Sequence, residues 1–454
     1  MNRRRLIAEA AVAGTGIALI LAALAAGQSW WDRHFMPIFA IERSTMVAAE
    51  QAVRVLIALA GALLALIFRR PIAALLSRTS CGGAVRVLLA VLLALGAGEL
   101  ILRAHPPHPH DADPMEREPR RYADPRLGWQ FAPARSVVAE EAGRRVSYCF
   151  DAAGYRVAAP GAEVDVGRPT LLFTGESIIT GFGLDWEETI PVRVGAMLGI
   201  QSANLAVSDY SNDQSYLRLA AELPRFREPV AVVTLFMPSL FDRNLLDNRP
   251  RLAAGLVWQP AERHGRLVAL LHWLIPYRSS AAVEQGITRT RDSLRALVSV
   301  ARARGAEALI VVPQLGPESA TEEWLRRRIL DESGLPYLPV KLDASWHLPG
   351  DLHPDPRAAQ AIATAVAGRL HGWVDQALGK AGSNLIQACE ARLVSCSLLP
   401  ANDAGARCSR SRKLLAETAG LIRNPWMASQ DSARRNRSCA CVVTPSATIL
   451  RSRL

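Results

Sequence analysis

The chain has 454 residues, of which 50% are hydrophobic, and it carries a formal net charge of +11 at pH 7. Residues 380–454 contain twelve lysines and arginines against four acidic residues, so eight of the excess charges belong to that segment. The rest of the chain is nearly balanced, and only three of the 53 basic residues are lysines. This distribution argues against a basic face on a folded domain, so we expect no nucleic-acid partner.

Three apolar blocks crowd the first quarter of the chain and predict transmembrane helices. They cover residues 7–28, 46–68 and 84–102, about 19 to 23 residues each, which suffices to cross a hydrocarbon core of roughly 30 Å. Buried helices of a soluble domain would show polar stripes, which are mostly absent here. Two spans plus an interfacial helix are the competing arrangement. A cleaved signal peptide is disfavoured by the length of the first block.

Arginines in the short loops predict the orientation of these spans. Three arginines precede the first block and four lie around the second loop, against two in the first loop: Arg3, Arg4, Arg5, Arg69, Arg70, Arg78, Arg86, Arg33 and Arg43. Positive loops stay on the cytoplasmic side. We therefore expect a cytoplasmic N-terminus, and an odd number of spans then carries the chain after residue 103 across the membrane.

The segment after the third block changes character twice. Residues 105–121 are rich in proline and histidine and predict a stiff polar linker. Three of its histidines could in principle bind metal, but no cysteine or carboxylate cluster completes a site, so a solvated spacer is the preferred interpretation and we expect neither metal nor cofactor. Residues 122–168 show short strands and turns and predict a small leading β segment.

Residues 169–378 alternate short apolar runs with amphipathic stretches, which predicts an α/β domain with a parallel sheet covered on both faces. The active site of such a sheet lies at the carboxyl ends of its strands. Residues 241–285 interrupt the alternation, and their apolar aromatic centre predicts a substrate-covering or membrane-facing insertion. Residues 379–454 hold five of the seven cysteines and no sustained period, so we predict a disordered tail, or an out-of-frame reading, outside the fold.

One serine has the surroundings of an enzymatic nucleophile. Ser177 ends the sequence Thr-Gly-Glu-Ser directly after the apolar run 169–173, and Asp351 and His353 lie together in one later segment. A serine hydroxyl is a poor nucleophile unless a base removes its proton. His353 is the candidate base, and Asp351 would fix its tautomer and stabilise the imidazolium. Ser177, His353 and Asp351 therefore predict acyl transfer through a catalytic serine.

These motifs resemble those of the SGNH/GDSL hydrolase family, in its membrane-tethered bacterial form. Gly175, Glu176 and Ser177 match the family's Gly-Asp-Ser block, while Asp351, His353 and Pro354 match its last block. The resemblance covers residues 122–378. It implies a flavodoxin-like three-layer αβα sandwich and attack on an ester. In this family and location the implied substrate is an acyl ester, O-acetyl above all, of envelope polysaccharide, met on the periplasmic side of the bacterial inner membrane.

Two positions depart from the family's pattern around the oxyanion. Asp209 stands where the second block has a glycine, and Ser239 stands where the third block has an asparagine, with Asn244 about a turn beyond. A carboxylate near a developing negative charge is unfavourable unless it points away. Three functions therefore stay open: an esterase, an O-acyltransferase with the same nucleophile, and a catalytically degenerate glycan-binding or assembly protein.

Overall fold

The computed structural model describes residues 3–37, 39, 41–78, 81–104 and 120–397. Contacts divide the chain into two units, Met1–Val374 and Asp375–Leu454. Everything described below about the sheet and the candidate site belongs to the first unit. The predicted linker lies almost entirely outside the described residues, as does the predicted tail after residue 397, and the predicted domain boundaries stay predictions.

The first part of the chain is helical, and three of its segments are long and apolar enough to cross a membrane. These segments are Arg3–Ala25, Arg43–Arg78 and Val85–Ala104, close to the predicted positions. The helices are α1 (Arg3–Ala25), α2 (Gln28–His34), α3 (Arg43–Leu63), α4 (Arg69–Arg78) and α5 (Cys81–Ala104), with a π-helical turn joining α3 to α4. Helices α1 and α3 touch at two glycines, where a Cβ on Gly16 would lie 2.5 Å from the Gly61 carbonyl oxygen.

The remaining described elements begin with six strands, after which strands and helices are interspersed. The strands are β1 (Arg121–Asp124), β2 (Gly128–Phe131), β3 (Ser136–Glu141), β4 (Arg144–Phe150), β5 (Arg156–Val157), β6 (Thr170–Phe173), β7 (Gln201–Asn204), β8 (Pro229–Leu235), β9 (Arg251–Ala253), β10 (Val257–Gln259), β11 (Glu307–Leu315) and β12 (Tyr337–Leu342). The helices are α6 (Ser177–Thr180), α7 (Ile190–Leu198), α8 (Asn212–Glu222), α9 (Arg266–Leu274), α10 (Ser280–Ala303), α11 (Ala320–Ile329) and α12 (Pro356–Ser397).

An eight-stranded sheet forms the core, in the order β12-β11-β8-β6-β7-β5-β4-β3. The parallel part of the sheet has the spatial order β7-β6-β8-β11-β12. When these five strands are numbered by their place in the chain, the order is 2-1-3-4-5, which is the flavodoxin-like arrangement. Strands β6 and β8 are buried along their whole length, as expected where helices cover both faces. The predicted α/β fold class is therefore confirmed.

The two faces of the sheet pack against different helices. Leu172 of β6 lies in one apolar cluster with side chains of α8, α10 and α11. Its neighbours Leu171 and Phe173 are fully buried on the opposite face, because successive side chains alternate along a strand. Helices α7 and α12 are linked to each other by a hydrogen bond from Arg193 to the Pro356 carbonyl (2.5 Å), and α7 contacts β6 and β7.

Residues of the predicted leading β segment are built into the same sheet. Strands β3, β4 and β5 continue it in antiparallel fashion beyond β7, while β1 and β2 form a separate hairpin. The hairpin is anchored near the site by two hydrogen bonds. The Trp129 indole donates to the Ser208 carbonyl (3.1 Å), and the Tyr210 hydroxyl donates to the Trp129 carbonyl (2.6 Å).

The predicted insertion contains a 3-10 helix (Pro238–Leu245), the β9–β10 hairpin and α9. Helix α9 packs against α5, where the Glu99 carboxylate accepts hydrogen bonds from the backbone of Arg266 and Leu267 at the start of α9 (2.9 and 2.7 Å). The insertion therefore contacts the third candidate span. The tail was predicted to begin at residue 379, but helix α12 continues past that position and ends at Ser397, because neither proline nor a glycine pair interrupts residues 380–397.

Candidate active site

Ser177 lies on the predicted turn between strand and helix, at the carboxyl end of β6. Strand β6 ends at Phe173 and α6 begins at Ser177. Gly175 between them has φ +150°, a conformation that favours glycine. The Glu176 side chain caps the helix by accepting from the Ile178 backbone amide (3.1 Å). This short turn holds the Ser177 side chain in a mostly buried position, 3% exposed.

The structure brings the three predicted catalytic side chains together. His353 Nε2 lies 2.8 Å from Ser177 Oγ, and His353 Nδ1 lies 2.6 Å from Asp351 Oδ1. The same carboxylate oxygen also accepts from the His353 backbone amide (2.7 Å). These hydrogen bonds from His353 hold the pKa of Asp351 below its usual range. An ionised Asp351 keeps a proton on Nδ1 and leaves Nε2 free to accept the serine proton.

Two aromatic rings fix the imidazole plane. Phe182 stacks on His353 with ring centroids 4.3 Å apart, and Phe39 meets it edge-on at 5.1 Å. Phe182 lies in the loop after α6, whereas Phe39 lies between the first two candidate spans. The sequence analysis identified neither residue.

The leading strands hold the loop that carries Phe182. The Gly183 amide donates to the Glu141 carboxylate (3.0 Å) and to the Tyr148 hydroxyl (2.9 Å). Burial, with the neighbouring Glu141 charge, raises the pKa of Tyr148, so this hydroxyl stays protonated. Arg156, almost fully buried, donates to carbonyls at both ends of the loop, those of Thr180, Gly181 and Leu184 (2.7 to 2.8 Å).

The Ser177 hydroxyl has a second acceptor besides His353. Glu176 Oε2 lies within hydrogen-bonding distance of Ser177 Oγ, and Arg243 donates to the same carboxylate oxygen (3.0 Å). The single hydroxyl proton can point to Glu176 or to His353. Because Arg243 also binds that oxygen, it weakens Glu176 as a competing acceptor and favours the bond to His353.

Asp209, predicted beside the oxyanion, is surrounded by arginines. Its carboxylate pairs with Arg121 (3.0 Å) and Arg243 (3.4 Å), and its carbonyl accepts from Arg249 (2.6 Å). Its φ of +66° is the left-handed conformation that a glycine would adopt at lower cost. The residue thus keeps a glycine-like backbone while its negative charge is compensated.

Ser239 lies at the start of the 3-10 helix and lines a cavity of about 500 Å³ next to His353. Asn244, one turn further along, exchanges hydrogen bonds with Asn212: its side-chain oxygen accepts from the Asn212 backbone (2.9 Å) and its amide donates to the Asn212 side chain (3.0 Å). Asn244 therefore supports helix α8. Arg243 between them donates to Glu176, the neighbour of the nucleophile in sequence (3.0 Å), and sequence reasoning missed it.

One group of side chains in the described part of the chain has the spacing of metal ligands. Asp247, Glu262 and His264 lie together on the insertion. Arg251 already pairs with Glu262, and His264 lies 3.0 Å from Asp247. These contacts with Arg251 and between Asp247 and His264 account for the group, which belongs to the insertion.

Comparisons with known proteins return structures but no sequence families. No family model and no curated protein matches the chain. Three solved structures to which it is similar are a lipolytic protein of the G-D-S-L family from Desulfitobacterium hafniense (12% identity, TM-score 0.29, 44% of this chain and 97% of that one), an acetyl xylan esterase from Butyrivibrio proteoclasticus (12%, 0.30, 47% and 66%) and a carbohydrate acetylesterase family member from Sinorhizobium meliloti (15%, 0.29, 46% and 99%).

The strand order defines the fold, and the distances between Ser177, His353 and Asp351 define the site. Both agree with the motifs from which the resemblance was first inferred. The chain resembles an SGNH/GDSL-type hydrolase joined to three helices that are long enough to span a membrane.

Proposed function

We propose that this protein is a membrane-anchored serine esterase that forms an acyl-enzyme on Ser177. The observation that carries the proposal is the unbroken hydrogen-bonded series from Asp351 through His353 to Ser177, with distances of 2.6 and 2.8 Å. A nucleophile, a base and a residue that orients the base are the groups that acyl transfer from an ester requires.

In this mechanism Ser177 Oγ attacks the ester carbonyl carbon while its proton passes to His353 Nε2. The imidazolium, stabilised by Asp351, returns that proton to the departing alkoxide as the ester C–O bond breaks. Water deprotonated by His353 then attacks the acyl-enzyme and releases the acid. A sugar hydroxyl could take the place of water as the acceptor of the acyl group. The same intermediate would then serve an O-acyltransferase, which is the alternative function.

The negative charge that develops on the carbonyl oxygen needs a fixed partner. Arg243 and the Ser177 hydroxyl bind the same Glu176 oxygen, so the guanidinium is linked to the nucleophile through that carboxylate by two hydrogen bonds. Asp209 holds the other end of that guanidinium at 3.4 Å. We propose that Arg243 supplies the electrostatic stabilisation that an asparagine carboxamide gives in the family's third block.

The cellular setting follows from the loop arginines and from the resemblance. The domain would lie on the periplasmic side of a bacterial inner membrane, and its substrate would be an acyl ester, with O-acetyl groups of envelope polysaccharide as the sequence-based prediction. A reporter active only outside the cytoplasm should be active when fused after Arg121 and inactive after Arg78. The opposite pattern would show that the domain lies on the cytoplasmic side of the membrane.

The catalytic role of Ser177 is tested by labelling the full-length protein in detergent with a fluorophosphonate. We expect the label on the peptide that contains Ser177 and its loss in Ser177→Ala. Ser345→Ala is the matched control, because this serine is exposed and its hydroxyl donates to Asp343, in a loop outside the triad. Folded wild-type protein that takes up no label would contradict the esterase.

A non-catalytic glycan-binding or assembly protein is the second candidate, and the Asp209 carboxylate favours it because catalytic sites of this type carry a glycine there. This candidate predicts glycan binding without labelling of Ser177. The esterase predicts labelling, so one experiment separates the two.

A further inference from the structure

The loop between the first two candidate spans is part of the wall of the site. Met36 of this loop is 2% exposed and lies in the apolar cluster formed by α8, α10 and α11. His34 and Arg278, at the end of the insertion, exchange two hydrogen bonds of 2.7 Å. The loop is therefore packed onto the domain just before Phe39, which contacts His353.

The cavity of about 500 Å³ lies between this loop and the ends of the strands. The loop and the first turn of α3 contribute apolar side chains to one wall, and the domain contributes others to the opposite wall: Phe39, Ile41, Met46, Met237, Leu315 and Leu352. Leu352 separates the catalytic Asp351 and His353 in sequence. A volume of this size is within the range of about 300–1,000 Å³ that is typical of small-molecule sites.

The position of the cavity indicates where its ligand comes from. Met46 lies in the first turn of α3, and that helix begins the candidate span Arg43–Arg78. One wall of the cavity is therefore the end of a membrane helix, at the level where a bilayer surface would meet it. A ligand that occupies the cavity extends from Met46 to Phe39 and Leu352, and Phe39 contacts the His353 ring.

We propose that this cavity binds an alkyl chain of the ester, so that the substrate is an amphiphile presented from the membrane surface. The proposal rests on the proposed esterase and narrows its substrate class. Burial of each methylene group contributes about a fourfold increase in affinity. A chain of several carbons therefore gains far more from this cavity than an acetyl group would.

The test compares two ester series on full-length protein in detergent. One series lengthens the acyl chain of p-nitrophenyl esters from two to eight carbons, and the other lengthens the alcohol chain of acetate esters, so the two sources of the alkyl chain are distinguished. Met46→Trp fills the far end of the cavity and should reduce the ratio of long-chain to short-chain kcat/KM in one series, by roughly 15- to 60-fold if two or three methylenes are displaced.

Met197→Trp is the matched control, because Met197 is 43% exposed on α7 and lies outside the cavity lining. The control should leave the long-to-short ratio unchanged. An unchanged ratio in both series for Met46→Trp would overturn the proposal. A wild-type preference for acetyl esters over long-chain esters would also overturn it and would favour acetylated polysaccharide as the substrate.

A binding measurement keeps the proposal testable if no ester is hydrolysed. Ser177→Ala protein is irradiated with an alkyl ester that carries a diazirine at its chain end, and the label is mapped. We expect label on residues 313–318 of the domain, and less of it when Met46→Trp is added. Label confined to the spans would overturn the alkyl site, whereas label on this segment without turnover would contradict only the esterase.

Discussion

The two sides of the candidate site are built in different ways. On one side, Ser177, His353 and Asp351 come from two short segments and meet at distances of 2.6 and 2.8 Å. On the other side, Asp209 and Glu176 are held by arginines from separate parts of the chain, namely Arg121, Arg243 and Arg249. The first side follows the family's motifs closely, and the second side replaces a glycine and an asparagine with a network of ion pairs.

This difference shows how much a local motif can determine. The serine is placed by the turn after β6, and the aspartate and histidine are placed by one loop before α12, so short sequence signals are sufficient. The charge around the oxyanion depends on which distant arginines fold against Asp209. The following experiments test whether both sides are needed for catalysis, beginning with the largest expected effect.

The triad side should account for nearly all turnover. Ser177→Ala and His353→Ala should each lower kcat for a short p-nitrophenyl ester by about 10⁵- to 10⁶-fold, and the double variant should lose little more, since the residues act as one unit. Asp351→Asn should lose about 10⁴-fold by permitting the wrong tautomer. Steady-state kinetics check this. Additive losses in the double variant would contradict a single catalytic unit.

The arginines around the oxyanion should contribute less to turnover than the triad, and their contribution should appear in kcat and not in KM. Arg243→Met should lower kcat by about 10²- to 10³-fold with little change in KM, as is measured when one oxyanion donor is removed, and Arg243→Lys should recover part of the loss. Arg251→Met is the matched control, because that arginine pairs with Glu262 away from Ser177. An unchanged thermal midpoint for Arg243→Met would separate this role from a structural one. A change confined to KM would contradict it.

Asp209→Gly should destabilise the protein, because the loss of an ion pair outweighs the relief of backbone strain. Asp209→Gly relieves the strain of φ +66°, but it leaves Arg121, whose side chain is 0% exposed, without the carboxylate it pairs with. Loss of one partner from a buried pair costs about 3–5 kcal/mol, which exceeds the roughly 1–2 kcal/mol of strain relieved. We expect a net loss of about 1–4 kcal/mol in the free energy of unfolding. A more stable glycine variant would show that the ion pair is not needed.

The same contrast explains what the sequence could predict. Alternating apolar and amphipathic stretches predicted the parallel sheet, and the segments around Ser177 and His353 predicted the triad. Arg243 was missed because one arginine among fifty carries no signal until the fold brings it to Glu176. Phe39 was missed because its loop looked like a short connection between spans, and its contact with His353 spans more than 300 residues of chain.

Ser239→Asn tests whether the family's usual donor can still improve the site. Ser239 lines the cavity in the first turn of the 3-10 helix, and an asparagine carboxamide would reach further than the hydroxyl. If an oxyanion donor limits turnover, kcat should rise severalfold. If Arg243 already supplies this stabilisation, the gain should appear only in the Arg243→Met background. An unchanged kcat in both backgrounds would show that the side chain at position 239 does not reach the oxyanion.

The smallest expected effect is a pH dependence of stability from the triad itself. Hydrogen bonds from His353 hold the pKa of Asp351 below its usual value, so the ionised carboxylate stabilises the folded state. This contribution is fully present above the unfolded-state pKa of about 3.9 and is lost as the pH falls through the lower folded-state value. Thermal denaturation should therefore find the wild type more stable than Asp351→Asn at pH 5 to 7, with the difference shrinking below about pH 4.

In a His353→Ala background the main donor to Asp351 is absent, and the same comparison should show a smaller difference at every pH. A difference that persists undiminished into acid would mean that packing, and not the charge of Asp351, separates the two proteins.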